Sequence, residues 1–201
     1  MSDHYYSDRP TSKRDMKEWS YTLRGRSFRF YSDAGVFSKK EVDFGSRLLI
    51  ETFVKPEVDG DDFLDMGCGY GPIGLSIAAS FPEKTVTMVD VNERAIELSC
   101  LNADQNQIDN VSIYQSNLFD RIDRNEFCAI VTNPPIRAGK KVVHSIFEQA
   151  YDHLVSGGEL WIVIQKKQGA PSAVEKLEVI FDEVDTVARK KGYFIIRSKK
   201  R

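Results

Sequence analysis

Short apolar runs alternate with segments of helical periodicity from about residue 62 to the end of the chain. The apolar runs lie at residues 63–66, 86–89, 111–114, 127–131 and 160–164. Between them, apolar residues recur at helical spacing, as Ala95, Leu98 and Leu101 do after the capping residue Asn92. Strand–helix alternation of this kind predicts a parallel sheet with helices on both faces.

Two further strands are predicted near residues 183–189 and 193–197. Only Lys191-Gly192 joins them, so they must pair antiparallel. The predicted fold is therefore α/β: a Rossmann-like doubly wound seven-stranded sheet, mostly parallel, with one antiparallel strand near the edge. A hairpin around residues 24–26 precedes it, and we expect this segment to fold against the main sheet on the substrate side. We expect one domain over residues 1–201, with residues 1–47 as an N-terminal extension and 48–201 as the Rossmann-like core.

The loop after the first core strand, residues 65–74, reads D-M-G-C-G-Y-G-P-I-G. Glycines at alternate positions allow positive φ and let a ligand lie directly on the backbone. Read from Gly69, the loop matches the dinucleotide fingerprint G-x-G-x-x-G, and Asp90 falls where the ribose-binding acid would. Asp65 favours a different ligand, because it would repel a pyrophosphate. S-adenosylmethionine has no phosphate, and its sulfonium and ammonium groups are attracted by a carboxylate.

With that cofactor, Asp90 would accept hydrogen bonds from both ribose hydroxyls. Asn117 follows the third strand, where the adenine would rest, and its carbonyl oxygen is a predicted acceptor for the adenine amino group. The further predicted cofactor contacts are Asp65, Gly67, Cys68, Gly69, Gly71, Val91 and Asn133.

The segment N-P-P-I, residues 133–136, directly follows the fourth strand at the carboxyl edge of the predicted sheet, where ligands bind in such folds. Proline holds the preceding residue in an extended conformation, so Asn133 is fixed toward the cofactor. An exocyclic amine is a poor nucleophile because its lone pair is delocalised into the ring. The Asn133 side-chain oxygen and the Pro134 carbonyl can each accept one amino hydrogen, which aims the lone pair and stabilises the developing positive charge. The predicted catalytic residues are Asn133, Pro134, Pro135 and Ile136.

Three motifs, at residues 65–71, 89–92 and 132–140, together resemble class I S-adenosylmethionine-dependent methyltransferases. They are most similar to the ribosomal RNA small subunit methyltransferase C group, which makes 2-methylguanosine. Residues 35–38 and 43–46 resemble that group's cofactor-covering N-terminal motif, which implies that Phe37 and Ser46 lie at the cofactor.

The sequence departs from that family in two places. Larger members carry an additional N-terminal domain that this sequence does not include, so we expect substrate placement to rely on this one domain. Many amino-methylating relatives have a base-stacking aromatic where this chain has Ile136; either Ile136 or Phe37 would then pack on the target base.

Charge is unevenly distributed along the chain, although 28 basic and 30 acidic residues leave a net charge of −2. Residues 51–130 carry 15 acidic and 5 basic side chains, whereas residues 131–201 carry 13 basic and 8 acidic ones. An acidic centre suits a cationic cofactor, and basic ends suit phosphates at a pocket rim. The predicted partner is ribosomal RNA or the small ribosomal subunit. The predicted RNA contacts are Arg137, Lys140, Lys141, Lys166, Lys167, Arg24 and Arg26, with Arg29 beside them in the hairpin.

Other functions stay open on the sequence alone. The same loop would serve an adenine amino group in nucleic acid or a glutamine amide in protein, because both present a planar nitrogen. A nicotinamide-dependent oxidoreductase and a non-catalytic RNA-binding module are interpretations of a different class.

No metal or disulfide is expected, because the three cysteines lie far apart and the histidines lack metal-site spacing. The polar N-terminus and the lack of a long apolar stretch lead us to expect a cytoplasmic protein without membrane contact.

Overall fold

The computed structural model describes residues 15–33, 41–60, 62–123 and 126–201. Its strands are β1 Lys17–Leu23, β2 Arg26–Ser32, β3 Asp62–Met66, β4 Thr85–Asp90, β5 Val111–Gln115, β6 Phe127–Thr132, β7 Leu154–Gln165, β8 Glu183–Lys190 and β9 Tyr193–Lys199. Its α-helices are α1 Phe44–Thr52, α2 Pro72–Ser80, α3 Glu93–Gln105, α4 Lys140–His153 and α5 Ala170–Ile180. Two 3-10 turns, Ile136–Ala138 and Lys166–Gln168, follow β6 and β7.

Seven strands form one sheet in the order β5-β4-β3-β6-β7-β9-β8, and β9 runs antiparallel to both of its neighbours. This confirms the predicted fold class, including the antiparallel strand near one edge. All six residues of the central strand β6 are buried, as expected for a parallel strand covered by helices on both faces. The carboxyl ends of β3, β4 and β6 meet at one edge, which fixes where the site must lie.

Strand β7 begins earlier than the sequence indicates. The run Ser156-Gly157-Gly158, which precedes the apolar run at residues 160–164, lies inside the strand. Gly158 is required there because a Cβ would come within 3.0 Å of the Phe127 carbonyl oxygen. Lys200 then pairs with this segment, donating from its backbone nitrogen to Gly158 and accepting from Gly157.

The hairpin β1–β2 lies along α3, with its open end at the pocket side and its turn at the opposite end of the sheet. At the open end, Asp33 forms a buried ion pair with Arg94 in the first turn of α3, at 3.6 Å. At the turn, Arg24 donates to the carbonyls of Ile50 and Phe53 at the end of α1. We expected the whole segment on the substrate side; its open end lies there, but its turn lies at the amino edge of the sheet, where α1, α2 and α3 end.

Edge strand β8 contains a bulge. Its register with β9 shifts between Thr186 and Ala188, and Val187 at the bulge is exposed. No helix in the described part of the chain is long and apolar enough to cross a membrane.

Candidate active site

A pocket opens at the carboxyl ends of β3, β4 and β6, with a volume of about 930 Å³ including its mouth. Its position at the carboxyl ends of parallel strands is where ligands bind in sheets of this kind. Seven of the predicted cofactor contacts line it: Ser46, Gly67, Cys68, Gly69, Asp90, Val91 and Asn133. Pro134 and Pro135 of the predicted catalytic loop line it as well. Phe37 lies outside the described residues.

The glycine loop presents bare backbone to this pocket. Gly67 and Gly69 have left-handed φ values of +75° and +59°, and a Cβ at either would meet nothing within 4 Å. Gly71 was predicted as a cofactor contact but does not line the pocket: its Cβ would collide with Leu75 and Ser99 at 2.9 Å. Its lack of a side chain serves the packing of α2 against α3.

Asp90 lies at the end of β4 and is fixed by two backbone donors. Its Oδ2 accepts from Gly69 N and its Oδ1 from Asn92 N, both at 2.9 Å. Asp90 lines the pocket, where a carboxylate can accept hydrogen bonds from a ribose diol. Burial raises the pKa of Asp90, and the backbone hydrogen bonds oppose that shift.

Asp65 lies behind the glycine loop and is completely buried. Its Oδ2 accepts from Gly74 N at 2.8 Å, but its Oδ1 has no hydrogen-bond partner. Burial raises the pKa of this carboxyl to about 7. A buried carboxylate oxygen without a partner is costly. The predicted cofactor contact Asp65 does not line the pocket, so it would favour a cationic ligand such as S-adenosylmethionine only through its charge and not by direct contact.

Asn117 does not reach the pocket. Its side chain is exposed and donates to Asp120 Oδ2 at 3.0 Å, while its neighbours Ser116 and Leu118 line the wall. Leu118 has a left-handed φ of +48°, and Ser116 Oγ donates to its carbonyl at 2.8 Å. Asn117, the predicted acceptor for the adenine amino group, therefore does not line the pocket, although the residues on either side of it do.

The side chain of Asn133 is oriented by the first turn of α1. Its Nδ2 donates to Ser46 Oγ at 3.0 Å and lies 3.4 Å from Asp43 Oδ1. Asp43 also caps α1, accepting from Ser46 N at 3.0 Å. Because an ionised carboxylate can only accept hydrogen bonds, the amide NH₂ must point toward Asp43. The Asn133 carbonyl oxygen is left for the pocket.

The two residues after Asn133 differ in their surroundings. The Pro134 carbonyl accepts from Ile136 N at 2.9 Å and keeps one lone pair for another donor. Ile136 was predicted as part of the catalytic loop, but it does not line the pocket. It packs instead against the apolar core beneath α4 and β7. The placement of Ile136 against a target base is therefore not supported.

The predicted RNA contacts fall into two groups. Those that follow β6 and β7 are exposed at the pocket edge: Arg137, Lys140, Lys141, Lys166 and Lys167. The hairpin arginines are not at this edge, because Arg24 binds the end of α1 and Arg26 donates to the Asn106 carbonyl at the end of α3. Arg29 also contacts Asn106, through its backbone.

Four residues that the motifs do not single out support the site: Asp43, Ser99, Asn102 and Thr132. Ser99 Oγ donates to the Gly69 carbonyl at 3.0 Å, and Thr132 Oγ1 donates to the Met66 carbonyl at 2.8 Å. Asn102 donates to the Tyr70 carbonyl at 2.8 Å. A signal did exist, since Ser99 and Asn102 are polar residues on the inner face of a helix, and Asp43 is a typical N-cap residue directly before α1.

Comparisons with known proteins identify the family of the chain. The family model described as methyltransferase small domain matches residues 27–197. A Bacillus subtilis protein, YbxB, is 64% identical over 201 residues, covering 100% of both chains. Ribosomal RNA small subunit methyltransferase C of Vibrio cholerae is 32% identical over 194 residues, which are 92% of this chain and 55% of that protein. The chain thus spans about half the length of this larger relative.

Among solved structures, the T. thermophilus 16S rRNA N2 methyltransferase in complex with AdoMet and guanosine matches with a TM-score of 0.83. That match has 24% sequence identity and covers 96% of this chain and 52% of the other. It shows that the two share a fold. From the family model and the pocket together, the chain belongs to the methyltransferase small domain family, and S-adenosylmethionine is its cofactor.

Proposed function

We propose that this protein methylates the 2-amino group of a guanine in small-subunit ribosomal RNA. The observation that carries the proposal is the geometry of Asn133. Its amide nitrogen is held by Ser46 and Asp43, which leaves its carbonyl oxygen for the pocket, and Pro134 lines the same pocket. Together with the Pro134 carbonyl, this oxygen would provide two acceptors for the two hydrogens of an exocyclic amine.

The cofactor supplies an electrophilic methyl group on a sulfonium, so the protein needs no strong base to activate the nucleophile. The residues of the chain would then act by positioning the amine and the cofactor. Asn133 and Pro134 would hold the amino hydrogens, aim the nitrogen lone pair and stabilise the positive charge that grows on it. Asp90 and the open backbone of Gly67 and Gly69 would fix the other reactant.

Ribosomal RNA is favoured as substrate by the relatives and by the surface charge. The relatives include enzymes named for small-subunit ribosomal RNA, and one was solved with guanosine. The residues just outside the pocket are basic. The same acceptor pair would also suit an adenine amino group or a glutamine amide. The choice of guanine as the target is therefore itself part of the proposal. We further propose a cytoplasmic location, where that RNA is found.

Tritium transfer from labelled S-adenosylmethionine tests the proposal, with total ribosomal RNA from a strain lacking this protein as the acceptor. Nucleoside analysis should give a single labelled peak of 2-methylguanosine. The Asn133→Ala variant is the matched control, and we expect it to bind the cofactor but transfer no label. Label in 6-methyladenosine would move the substrate to adenine. Absence of transfer to RNA and to isolated subunits, with cofactor binding intact, would contradict the proposal.

A further inference from the structure

We infer that the RNA strand leaving the pocket crosses the half of the sheet edge formed by β6, β7, β9 and β8, with the turn between β8 and β9 as its outer contact. This inference rests on the proposed function. We call this surface the basic edge, and its residues are Arg137, Lys140, Lys141, Lys166, Lys167, Arg189, Lys190 and Lys191.

The two halves of the carboxyl edge carry opposite charge. The segments 133–141, 165–169 and 189–193 hold the eight basic residues of the basic edge and no acidic residue. All eight are exposed, and within the described residues none of them is ion-paired with an acid. On the other half, Asp90, Glu93 and Asp120 lie at the ends of β4 and β5 or follow them, and they outnumber the basic residues there, because Arg94 is paired with Asp33 and leaves only Arg121. A polyanion is thus attracted to one half of the edge and repelled from the other.

The turn between β8 and β9 adds residues 189–191 to the RNA contacts that were predicted in the loops after β6 and β7. Lys191 and Gly192 have left-handed φ values of +49° and +77°, the geometry of a two-residue hairpin turn that follows the strand twist. Lys166 N donates to the Gly192 carbonyl at 2.8 Å, which joins this turn to the lysines after β7. The lysines of the two segments therefore form one continuous surface with a fixed shape.

The same turn is also packed against the pocket wall. The Tyr193 ring lies so close to Gly45 that a Cβ there would come within 2.8 Å of it. Its centroid is 5.4 Å from that of Phe44, and Lys191 Nζ is 5.0 Å from the Phe44 centroid. Phe44 and Gly45 lie between Asp43 and Ser46, both of which line the pocket. Lys191 is thereby held beside the pocket mouth.

Phosphate is the ligand chemistry that this arrangement fits. A target base must be unpaired or flipped to enter the pocket, so the adjoining backbone is presented as a strand rather than a closed helix. Lysine ammonium groups bind phosphates as point charges and confer no base preference. The basic edge would therefore set the path of the strand, and the pocket would select the base.

The experiment measures equilibrium binding to an unmethylated transcript of small-subunit ribosomal RNA at several KCl concentrations. The test variant is Lys190→Ala with Lys191→Ala. The matched control is Lys55→Ala with Lys199→Ala, which changes net charge equally at the amino edge of the sheet. We expect the test variant to bind about tenfold more weakly and its salt slope to fall by roughly 1.4, for two lost phosphate contacts. The control should change by less than about twofold. Unchanged cofactor affinity and melting temperature establish that both variants are folded.

If the double variant unfolds, Lys190→Gln alone replaces it, since Lys191 and not Lys190 contacts Phe44. The expected slope change is then roughly 0.7. Equal losses in test and control variants, or undiminished binding by the test variant, overturn the inference. Methyl transfer to ribosomal RNA is measured in parallel. If the wild type transfers no methyl group to RNA, the proposed function fails and this inference with it. If the wild type transfers methyl groups and the test variant binds normally, only this inference fails.

Discussion

Asn133 gains its orientation from a helix that lies 87 residues earlier in the chain. The proline after it restricts its backbone, but the direction of its amide depends on Ser46 and Asp43. The loop motif therefore identifies the residue without specifying which end of its amide faces the pocket. That information resides in the capping turn of α1.

Replacing Ser46 with alanine removes the stronger of the two bonds that hold the Asn133 amide. One such bond contributes about 1.5 kcal/mol, so we expect kcat for methyl transfer to fall about tenfold. KM for the cofactor should change much less. Ser46→Thr keeps the hydroxyl and should restore most of the rate. Steady-state kinetics with ribosomal RNA would check this, and an equal loss in kcat and in cofactor affinity would argue for a direct cofactor contact instead.

Asp65 predicts a pH dependence of stability in the absence of ligand. Its pKa is raised to about 7 in the folded state from an ordinary value of 3.8. Between these values the folded protein holds a proton that the unfolded chain has lost, so the free energy of unfolding decreases as pH rises from about 4 to about 7. Each pKa unit corresponds to about 1.4 kcal/mol, which sets an upper limit of about 4 kcal/mol.

The Asp65→Asn variant cannot ionise and should lack this decrease. Urea unfolding of both proteins at pH 5 and pH 8 measures it. The free energy of unfolding of the variant, relative to that of the wild type, should be higher at pH 8 than at pH 5. A difference that stays constant with pH would mean that Asp65 does not titrate in this range.

At the scale of elements, α3 joins the N-terminal hairpin to the glycine loop through one buried side chain. Asn102 accepts from Tyr31 N at 2.7 Å and donates to the Tyr31 and Tyr70 carbonyls at 3.0 and 2.8 Å. The side-chain amide of Asn102 therefore holds both the hairpin and the glycine loop.

Asn102→Ala should lower the free energy of unfolding by about 3 kcal/mol, because it leaves a part-buried backbone N–H and two carbonyls without their partner. It should also weaken cofactor binding through the Tyr70 segment. Gln105→Ala on the same helix removes only an exposed bond to Glu18 and is the matched control. Denaturant unfolding and cofactor titration of both variants would check the prediction. Equal stability of the two would show that the hairpin is held by its aromatic contacts alone.

Most of the fold could be predicted from sequence because its elements carry local signals. The buried strands are short apolar runs, α3 has a capping asparagine, and Lys191-Gly192 marks a tight turn. The side chains that line the pocket could be predicted less completely. A shift of one residue separates Asn117 from the wall, and Gly71 serves packing rather than ligand contact. Such differences depend on the direction of each side chain after folding, which the motif does not encode.

For the whole molecule, the position of the hairpin was the least predictable feature. It depends on contacts between residues 71 to 80 positions apart, such as Tyr31 with Asn102 and Arg26 with Asn106. Its three arginines suggest a phosphate-binding surface by composition. The side chains of Arg24 and Arg26 instead donate to carbonyls at the ends of α1 and α3, which indicates a structural role at the amino edge.

We therefore expect Arg24→Ala to lower stability without affecting RNA binding. The change removes two bonds to the last carbonyls of α1 and the contact with the Phe81 ring, so a loss of about 2 kcal/mol is expected. RNA affinity, corrected for folded fraction, should stay within about twofold of the wild type. A loss of RNA affinity as large as that from the basic edge would bring the hairpin back into the binding surface.

The bulge in β8 has a consequence for association between molecules. An edge strand offers a row of unpaired N–H and C=O groups to any other sheet. The extra residue at Val187 breaks that row, and Asp185, Arg189 and Lys190 place charge along it. Edge-to-edge aggregation is disfavoured on this side of the molecule. Strand β8, which carries Arg189 and Lys190 of the basic edge, is thus not covered by another sheet and can contact a partner through its charge.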